Sequence, residues 1–219
     1  MTTPPLTIDV VSDVVCPWCY LGRRRLSLAL DTVPDIPVVV RWRPFLLDPS
    51  IPPDGVDHRE HLAAKFGDMS RLDAAHEHLT TLGREVGIDY RFDRVTRYPH
   101  TVDAHRVVRW ATEADGNVDA LVGRLFALHF TEGADVGDHK VLAEAGTVAG
   151  LDPAETAQRL ATDRDQAAVL AEINGFQRAG VTGVPCFILA GRFGVMGAQS
   201  PEILARSIRD AAARTGIAA

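Results

Sequence analysis

Hydrophobic residues near the start of the chain follow two different spacings. Short apolar runs rich in β-branched residues, Leu6 to Val11 and Val38 to Phe45, predict two strands. The segment between them, from about Pro17 to Leu30, places its leucines at helical spacing and ends before "VPDIP". The N-terminal part of the chain therefore predicts a β-α-β unit.

The middle of the chain has a different pattern. From about His58 to Ala179, almost every segment is rich in Ala, Leu, Arg and Glu and suits a helix, and glycines or Asp-Pro separate several of the segments. We expect helices in "REHLAAKFG", "SRLDAAHEHLTTLGREVG", "TVDAHRVVRWATEA", "NVDALVGRLFALHF", "DHKVLAEAGTVAG" and "DPAETAQRLA".

The pattern changes again at Gly180. Cys186 to Leu189 predicts a strand, Ala190-Gly191 a two-residue turn, Phe193 to Met196 a second strand, and a helix begins at Pro201. The sheet fragments at the two ends of the chain each have too few strands to be stable alone. They must join into one sheet, which predicts an α/β fold of the order β-α-β … β-β-α with a large inserted all-helical domain.

Composition and charge exclude some classes of partner. Hydrophobic residues make up 46% and charged residues 24%, as in an ordinary soluble globular protein. No apolar run approaches the ~20 residues of a membrane span. The net charge of −6 argues against nucleic acid or an anionic membrane as the main partner. Because the N-terminus lacks the features of a secretory signal, we expect a cytoplasmic protein.

The strongest chemical signal is the sequence "CPWC" where the first strand meets the first helix. Cys16 and Cys19 are spaced so that a disulfide can form across one helical turn. Free N–H groups and the helix dipole favour a thiolate at the first position, so Cys16 is the predicted nucleophile, with a lowered pKa. Cys19 is the predicted resolving thiol. Pro17 suits the first helical position, and Trp18 offers an apolar surface to the sulfurs or to a substrate.

Two other interpretations of the pair compete with redox chemistry. A zinc site usually has four ligands, but there is no second C-x-x-C, and the histidine pairs in "DHREH" and "HEH" lack metal-like spacing relative to the cysteines. We therefore predict no metal. The remaining alternative is an inert pair of buried cysteines.

Three segments resemble a known family. "DVVCPWCYLG", "FTEGADVGDHKVL" and "GVTGVPCFILAGRFGVMGAQSPEIL" are similar, in the same order and over nearly the whole chain, to the DsbA-like thioredoxin superfamily, and most closely to its cytoplasmic FrnE-type branch. The resemblance implies a thioredoxin fold. Residues 1–50 and 180–219 would form a discontinuous thioredoxin-like domain, and residues 51–179 an inserted helical domain.

The resemblance also implies a function. It indicates a thiol–disulfide oxidoreductase or isomerase in which Cys16 attacks, Cys19 resolves a mixed disulfide, and no cofactor is bound apart from the redox-active pair. Its partners would be protein or small-molecule thiols and disulfides, with glutathione as a candidate substrate and an unidentified reductant or oxidant.

The resemblance assigns roles to residues outside the cysteine pair. Pro185 falls on the family's cis-proline, which lies against the sulfurs, and Val184 would offer its backbone to an extended substrate. His105, in "DAHR", falls on a helix that overhangs the site. It is predicted either to line the cleft and transfer protons or to be a structural histidine.

Two positions depart from the family pattern. Cys186 stands where an aromatic or aliphatic residue is common, and it is either a small buried residue pointing away from the site or a third redox cysteine. Val10 stands where relatives often carry a buried acid that helps to move the proton of the resolving thiol. Asp13 is a candidate replacement, although it could equally be solvated at the end of the strand.

Two other functions remain as alternatives. One is a glutathione-dependent isomerase or transferase of the 2-hydroxychromene-2-carboxylate isomerase type, which typically has serine at the position of Cys16. The other is a redox-sensitive binding protein or chaperone that uses the helical block.

Overall fold

The computed structural model describes residues 4–217, so the outermost residues of the predicted terminal segments, 1–3 and 218–219, lie outside it. The described residues form a four-stranded sheet, a two-stranded ribbon and nine α-helices. In chain order the elements are β1 (Leu6–Ser12), α1 (Pro17–Asp31), β2 (Val38–Pro44), β3 (Val56–Asp57), α2 (His58–Phe66), α3 (Met69–Glu85), β4 (Arg97–Tyr98), α4 (Val102–Glu113), α5 (Val118–Ala127), α6 (His139–Gly146), α7 (Pro153–Leu160), α8 (Gln166–Arg178), β5 (Cys186–Leu189), β6 (Phe193–Met196) and α9 (Pro201–Thr215).

The main sheet joins the two ends of the chain. Its strand order is β2-β1-β5-β6, with β1 parallel to β2 and antiparallel to β5. Val11 lies opposite Cys186, so the end of β1 is adjacent to the beginning of β5. The predicted α/β fold, with a sheet made from both terminal segments around a helical block, is confirmed.

Alternating residues of β1 pack on opposite faces of the sheet. Ile8 and Val10 belong to the large core cluster that includes the buried leucines of α1 and α9. Val11 belongs to a separate cluster, against which Phe176 of α8 packs. One face of the sheet is therefore covered by α1 and α9, and the other by α8.

One local prediction is corrected, and one element was missed. The β5–β6 connection has three residues, Ala190 to Arg192, and the N–H of Arg192 donates to the carbonyl of Leu189. Ala190 and Gly191 both have positive φ, as a tight turn requires, and Arg192 adds one residue before β6 begins. The β3–β4 ribbon was not predicted, because strands of two residues carry no periodic signal.

The arginine run in α1 fixes neighbouring segments to this helix. Arg23 forms an ion pair with Asp119 at the start of α5, and Arg24 donates to the carbonyl of Val86 beyond α3. Arg25 donates to the carbonyl of Ala198, before α9. These side chains are half-buried. The run therefore connects α1 to three neighbouring segments.

The division of the chain into residues 1–50 with 180–219 and residues 51–179 stays a prediction. The large core cluster is continuous across it and contains Leu21 of α1 together with Leu121 and Phe126 of α5. Helix α8, within the predicted insertion, packs against β2. No helix in residues 4–217 combines the length and apolar character that a transmembrane span requires.

The helical block contains one fully buried arginine. Arg106 on α4 is 2% exposed and donates to four backbone carbonyls between residues 159 and 164, in the segment that joins α7 to α8. It also forms an ion pair with Asp103 at 2.7 Å. The planar guanidinium supplies several donors at fixed angles, so one side chain can bond all four carbonyls at once.

We predict that Arg106→Lys lowers the free energy of unfolding by about 3 kcal/mol, because a single ammonium group cannot reach all of these acceptors. Urea denaturation measures the change. Arg71→Lys is the matched control, since the side chain of Arg71 is 88% exposed. Equal stability of the Arg106 and Arg71 variants would contradict the prediction.

Candidate active site

The two cysteines of "CPWC" lie together at the beginning of α1. Cys16 is the N-cap residue, Pro17 occupies the first turn, and the backbone N–H of Cys19 donates to the carbonyl of Cys16 at 3.0 Å. Both cysteines are free thiols, and they lie 3.5 Å apart. Both are also buried, with 3% of Cys16 and 1% of Cys19 exposed. The two sulfurs are close enough to form a disulfide after only a small movement.

The loop before β5 faces Cys16. The Val184–Pro185 peptide bond is cis, as the family resemblance predicted. The Cys16 thiol donates to the carbonyl of Val184 at 3.8 Å, and the N–H of Gly197 donates to the carbonyl of Pro185 at 2.8 Å. A Cβ atom on Gly22 would lie 3.0 Å from the Pro185 ring, so this glycine lets the loop pack directly on α1.

Cys19 lies in a closed environment one turn into the helix. Burial raises the pKa of the Cys19 thiol well above its usual value, and the neighbouring Cys16 raises it further. The Ser12 hydroxyl and the backbone N–H of Asp13 act in the opposite direction, because both favour the thiolate. At neutral pH Cys19 therefore remains a protonated thiol, with two donors beside it.

The residues between the cysteines have different environments. Trp18 is 36% exposed, and its ring lies 6.1 Å from that of His78 on α3. The carbonyl of Pro17 accepts a hydrogen bond from the buried Tyr90 hydroxyl at 2.6 Å. Burial and the nearby Cys16 raise the pKa of Tyr90, so this phenol remains a donor. Tyr90 thus attaches the segment after α3 to the first turn of α1.

Asp13 and His105 form a second buried polar pair. His105 on α4 is 6% exposed, and its Nε2 lies 3.0 Å from the carbonyl oxygen of Phe45. Because a carbonyl only accepts, this nitrogen carries the proton. The Oδ1 of Asp13 is 3.6 Å away, and its Oδ2 accepts from the N–H of Leu47 at 2.7 Å. Asp13 is therefore buried rather than solvated.

The two departures from the family pattern lie on different faces of the sheet. Cys186 packs with Val11, Phe45 and Val181, on the face away from α1, as strand alternation predicted. Burial raises the pKa of its thiol. Val10 is 1% exposed and belongs to the core beside α1. The structure therefore brings Cys16, Cys19, Pro17, Val184 and Pro185 together, with Trp18 at the edge of the group, while His105 contacts Asp13 and Phe45.

Three residues near this site were missed in the sequence. They are Ser12, Gly22 and Tyr90. Ser12 and Gly22 lie within four residues of the cysteines, so strand alternation and helical spacing could have found them. Tyr90 reaches the site only through a tertiary contact, its hydrogen bond to the carbonyl of Pro17. Within residues 4–217, no group of three or more His, Cys, Asp or Glu side chains is arranged to hold a metal ion.

Comparisons with known proteins agree with this architecture. A family model described as the DSBA-like thioredoxin domain matches residues 7–209. The crystal structure of a probable DsbA oxidoreductase from Streptomyces coelicolor is 32% identical in sequence with a TM-score of 0.86, and the match covers 94% of this chain and 89% of that chain. The chain therefore belongs to the DSBA-like thioredoxin domain family, a family of disulfide oxidoreductases and isomerases.

Two more distant solved structures share the fold. Cytosolic disulfide reductase DsbM from Pseudomonas aeruginosa is 20% identical with a TM-score of 0.63, covering 96% of this chain and 97% of that chain. A 2-hydroxychromene-2-carboxylate isomerase is 16% identical with a TM-score of 0.72, covering 97% and 100%. The FrnE-type branch stays a prediction within the family.

A buried histidine near Asp13 makes stability depend on pH. His129 is 2% exposed, its Nδ1 has no hydrogen-bond partner, and burial lowers its pKa to about 3. In an unfolded chain the pKa is about 6.5, so as the pH falls from about 6.5 toward 3 only the unfolded state gains this proton. The contribution of neutral, buried His129 to the stability of the fold is therefore complete above about pH 6.5. It decreases as the pH falls from about 6.5 toward 3.

We predict that His129→Gln reduces the loss of unfolding free energy between about pH 7.5 and pH 5 by about 1–2 kcal/mol relative to the unsubstituted protein. Guanidinium denaturation at the two pH values measures this difference. His78→Gln, at an exposed side chain, is the control and should keep the original pH dependence. The same pH dependence in the His129 variant would contradict the assignment.

Proposed function

We propose that this protein is a thiol–disulfide oxidoreductase or isomerase that exchanges disulfides through Cys16 and Cys19. One observation carries the proposal: two thiols lie 3.5 Å apart at the start of a helix, and the loop with the cis Val184–Pro185 bond lies against the first of them. The chemistry needs no bound cofactor other than the cysteine pair itself.

The two cysteines take different roles in the proposed reaction. Cys16 is the attacking sulfur in this proposal, because it occupies the N-cap position of α1, where the helix dipole favours negative charge. It displaces one sulfur of a substrate disulfide and forms a mixed disulfide. Cys19 then attacks Cys16, and the second substrate sulfur leaves. Two electrons pass from the cysteine pair to the substrate, and the reverse sequence would oxidise a substrate dithiol.

Backbone and apolar groups beside Cys16 would hold the substrate. Val184 and Pro185 present main-chain groups next to the sulfur, and an extended segment can bind such groups as an added strand. Trp18 is the exposed apolar surface at the same helix start. For His105 we propose the structural role, since its Nε2–H is directed at the carbonyl of Phe45.

We also propose a cytoplasmic location and a partnership with thiols or disulfides of proteins or small molecules. DsbM, which shares the fold, is described as cytosolic and has also been solved with GSH. Glutathione is accordingly the first substrate and reductant to test. The proposed domain plan, a thioredoxin-like domain with residues 51–179 inserted, would let the helical block cover the start of α1.

We predict that Cys16→Ser abolishes the reduction of insulin by this protein, whereas Cys19→Ser retains attack but cannot resolve the product. After treatment with glutathione disulfide, the Cys19→Ser protein should therefore release one glutathione and accumulate a mixed disulfide between Cys16 and glutathione, which intact-mass spectrometry detects. Cys186→Ala is the matched control, because it removes a buried thiol on the other face of the sheet. Full activity in the Cys16→Ser protein would refute the proposed function.

A glutathione-dependent isomerase is the second candidate, and the observation that favours it is the fold shared with 2-hydroxychromene-2-carboxylate isomerase. Such an enzyme would activate glutathione without forming a protein disulfide. The two close thiols favour the redox function.

Counting thiols separates the two candidates. We predict that titration after mild oxidation with glutathione disulfide shows the loss of two of the three thiols, and that dithiothreitol restores them. An unchanged count, together with isomerisation of a chromene carboxylate in the presence of glutathione, would favour the isomerase instead. The Cys186→Ala protein should lose the same two thiols.

A further inference from the structure

The loop with the cis Val184–Pro185 bond is held by the turn that follows β6, residues 197–199. The pairing of β5 with β6 ends at Met196, and the next N–H, that of Gly197, donates to the carbonyl of Pro185 at 2.8 Å. Gly197 has a φ of +76°, in the left-handed region that glycine adopts without steric penalty. The chain therefore turns directly beside the cis-proline, and the position of this turn affects the position of the loop.

Arg25 connects the same turn to α1. Its Nη1 donates to the carbonyl of Ala198 at 2.7 Å, across 173 residues of chain. The side chain is half-buried, and its Nε makes no hydrogen bond within residues 4–217. Gly22, one turn earlier on α1, lies against the ring of Pro185. The helix thus contacts the loop directly at Gly22 and holds it a second time, through the turn, at Arg25.

Arg25 is distant from the attacking sulfur. It lies nine residues after Cys16 on the same helix. At ~1.5 Å per residue this spacing is about 13.5 Å along the helix axis. Salt screens charges beyond about 10 Å at 0.1 M ionic strength, so the guanidinium has little direct effect on the sulfur. An effect of Arg25 on disulfide exchange therefore has to pass through the loop, whose Val184 carbonyl lies 3.8 Å from the sulfur of Cys16.

The position of this loop matters most for a substrate with a peptide backbone. An added strand is held by main-chain hydrogen bonds, which weaken steeply when distance or direction changes. A displaced loop would therefore bind an extended polypeptide less well. A small disulfide without peptide groups makes no such hydrogen bonds, so its reaction depends on the attacking sulfur alone.

We propose that Arg25 is a positioning residue, which holds the cis-proline loop where an extended polypeptide disulfide can bind it beside the attacking sulfur. The hydrogen bond to Ala198 fixes the turn, and the N–H of Gly197 transmits its position to Pro185. Val184 then presents its backbone to the substrate. The substrate class is accordingly a disulfide carried on an extended polypeptide segment. The proposal rests on the disulfide exchange proposed above.

The test compares two probes that release the same coloured group. One is a short alanine-rich peptide whose central cysteine is joined to thionitrobenzoate by a disulfide, and the other is 2-mercaptoethanol joined in the same way. In both reactions the sulfur of Cys16 bonds to the thiol sulfur of the probe, the bond to thionitrobenzoate breaks, and that group leaves as a coloured thiolate. Stopped flow with excess reduced protein gives the maximal rate and the half-saturating protein concentration.

We predict that Arg25→Met raises the half-saturating concentration for the peptide probe at least about fivefold and changes the rate with the mercaptoethanol probe by less than about twofold. Arg25→Gln, whose side chain is too short to keep the contact, should behave in the same way. Arg25→Lys keeps a donor for the carbonyl of Ala198 and should restore binding of the peptide probe.

Arg24→Met is the matched control. Arg24 is also half-buried on α1 and donates to one backbone carbonyl, but that carbonyl belongs to Val86, beyond α3. This variant should change neither probe by more than about twofold. The mercaptoethanol probe also reports, in every variant, whether the cysteine site is folded and reactive.

Four outcomes would overturn the positioning role. They are unaltered peptide binding in both disrupting variants of Arg25, equal weakening of the two probes, equal weakening by Arg24→Met, and a shifted pH profile with the mercaptoethanol probe, which would indicate a direct effect of the charge on Cys16. Release of thionitrobenzoate at the original rate by Cys16→Ser would instead refute the proposed function. The two failures are therefore distinguishable.

Discussion

The antiparallel pairing of β1 with β5 is the constraint on which the site depends. Cys16 and Val184 are separated by 168 residues in the chain, yet their side-chain and backbone groups meet at 3.8 Å. The meeting follows from the register that places Val11 opposite Cys186. A slip of one residue would exchange the faces of β5, so that Cys186 would point toward α1 and Phe187 away from the core. The register therefore keeps Cys186 on the face of the sheet away from Cys16 and Cys19.

The helical block encloses the start of α1. Arg23 and Arg24 attach it to α1, and Tyr90 reaches the carbonyl of Pro17. This enclosure is the physical reason that both thiols are almost fully buried. It also removes water from groups that would otherwise be solvated, which is why burial raises the pKa of Cys19 and lowers that of His129.

Burial of the cysteine pair also affects how Cys19 can lose its proton. In the proposed exchange the Cys19 thiol, whose pKa is raised, must lose its proton before it can attack, and the apolar Val10 offers no acceptor. The groups that favour the Cys19 thiolate are the Ser12 hydroxyl and the backbone N–H of Asp13. The ionisation of Cys19 therefore depends on a few buried groups next to it.

The β-α-β … β-β-α order of the main sheet and the cysteine pair at the start of a helix could be predicted from the sequence, and the family resemblance added the cis bond at Pro185. These features are local: strand alternation, helical spacing, a proline at the first helical position and a short motif. Four other features are visible only in the folded protein: the burial of Asp13, the contact of His105 with Phe45, the hydrogen bond from Tyr90 to Pro17 and the cavity that Ser12 lines. Each of these depends on which distant segments pack together, and residue spacing along the chain carries little information about such contacts.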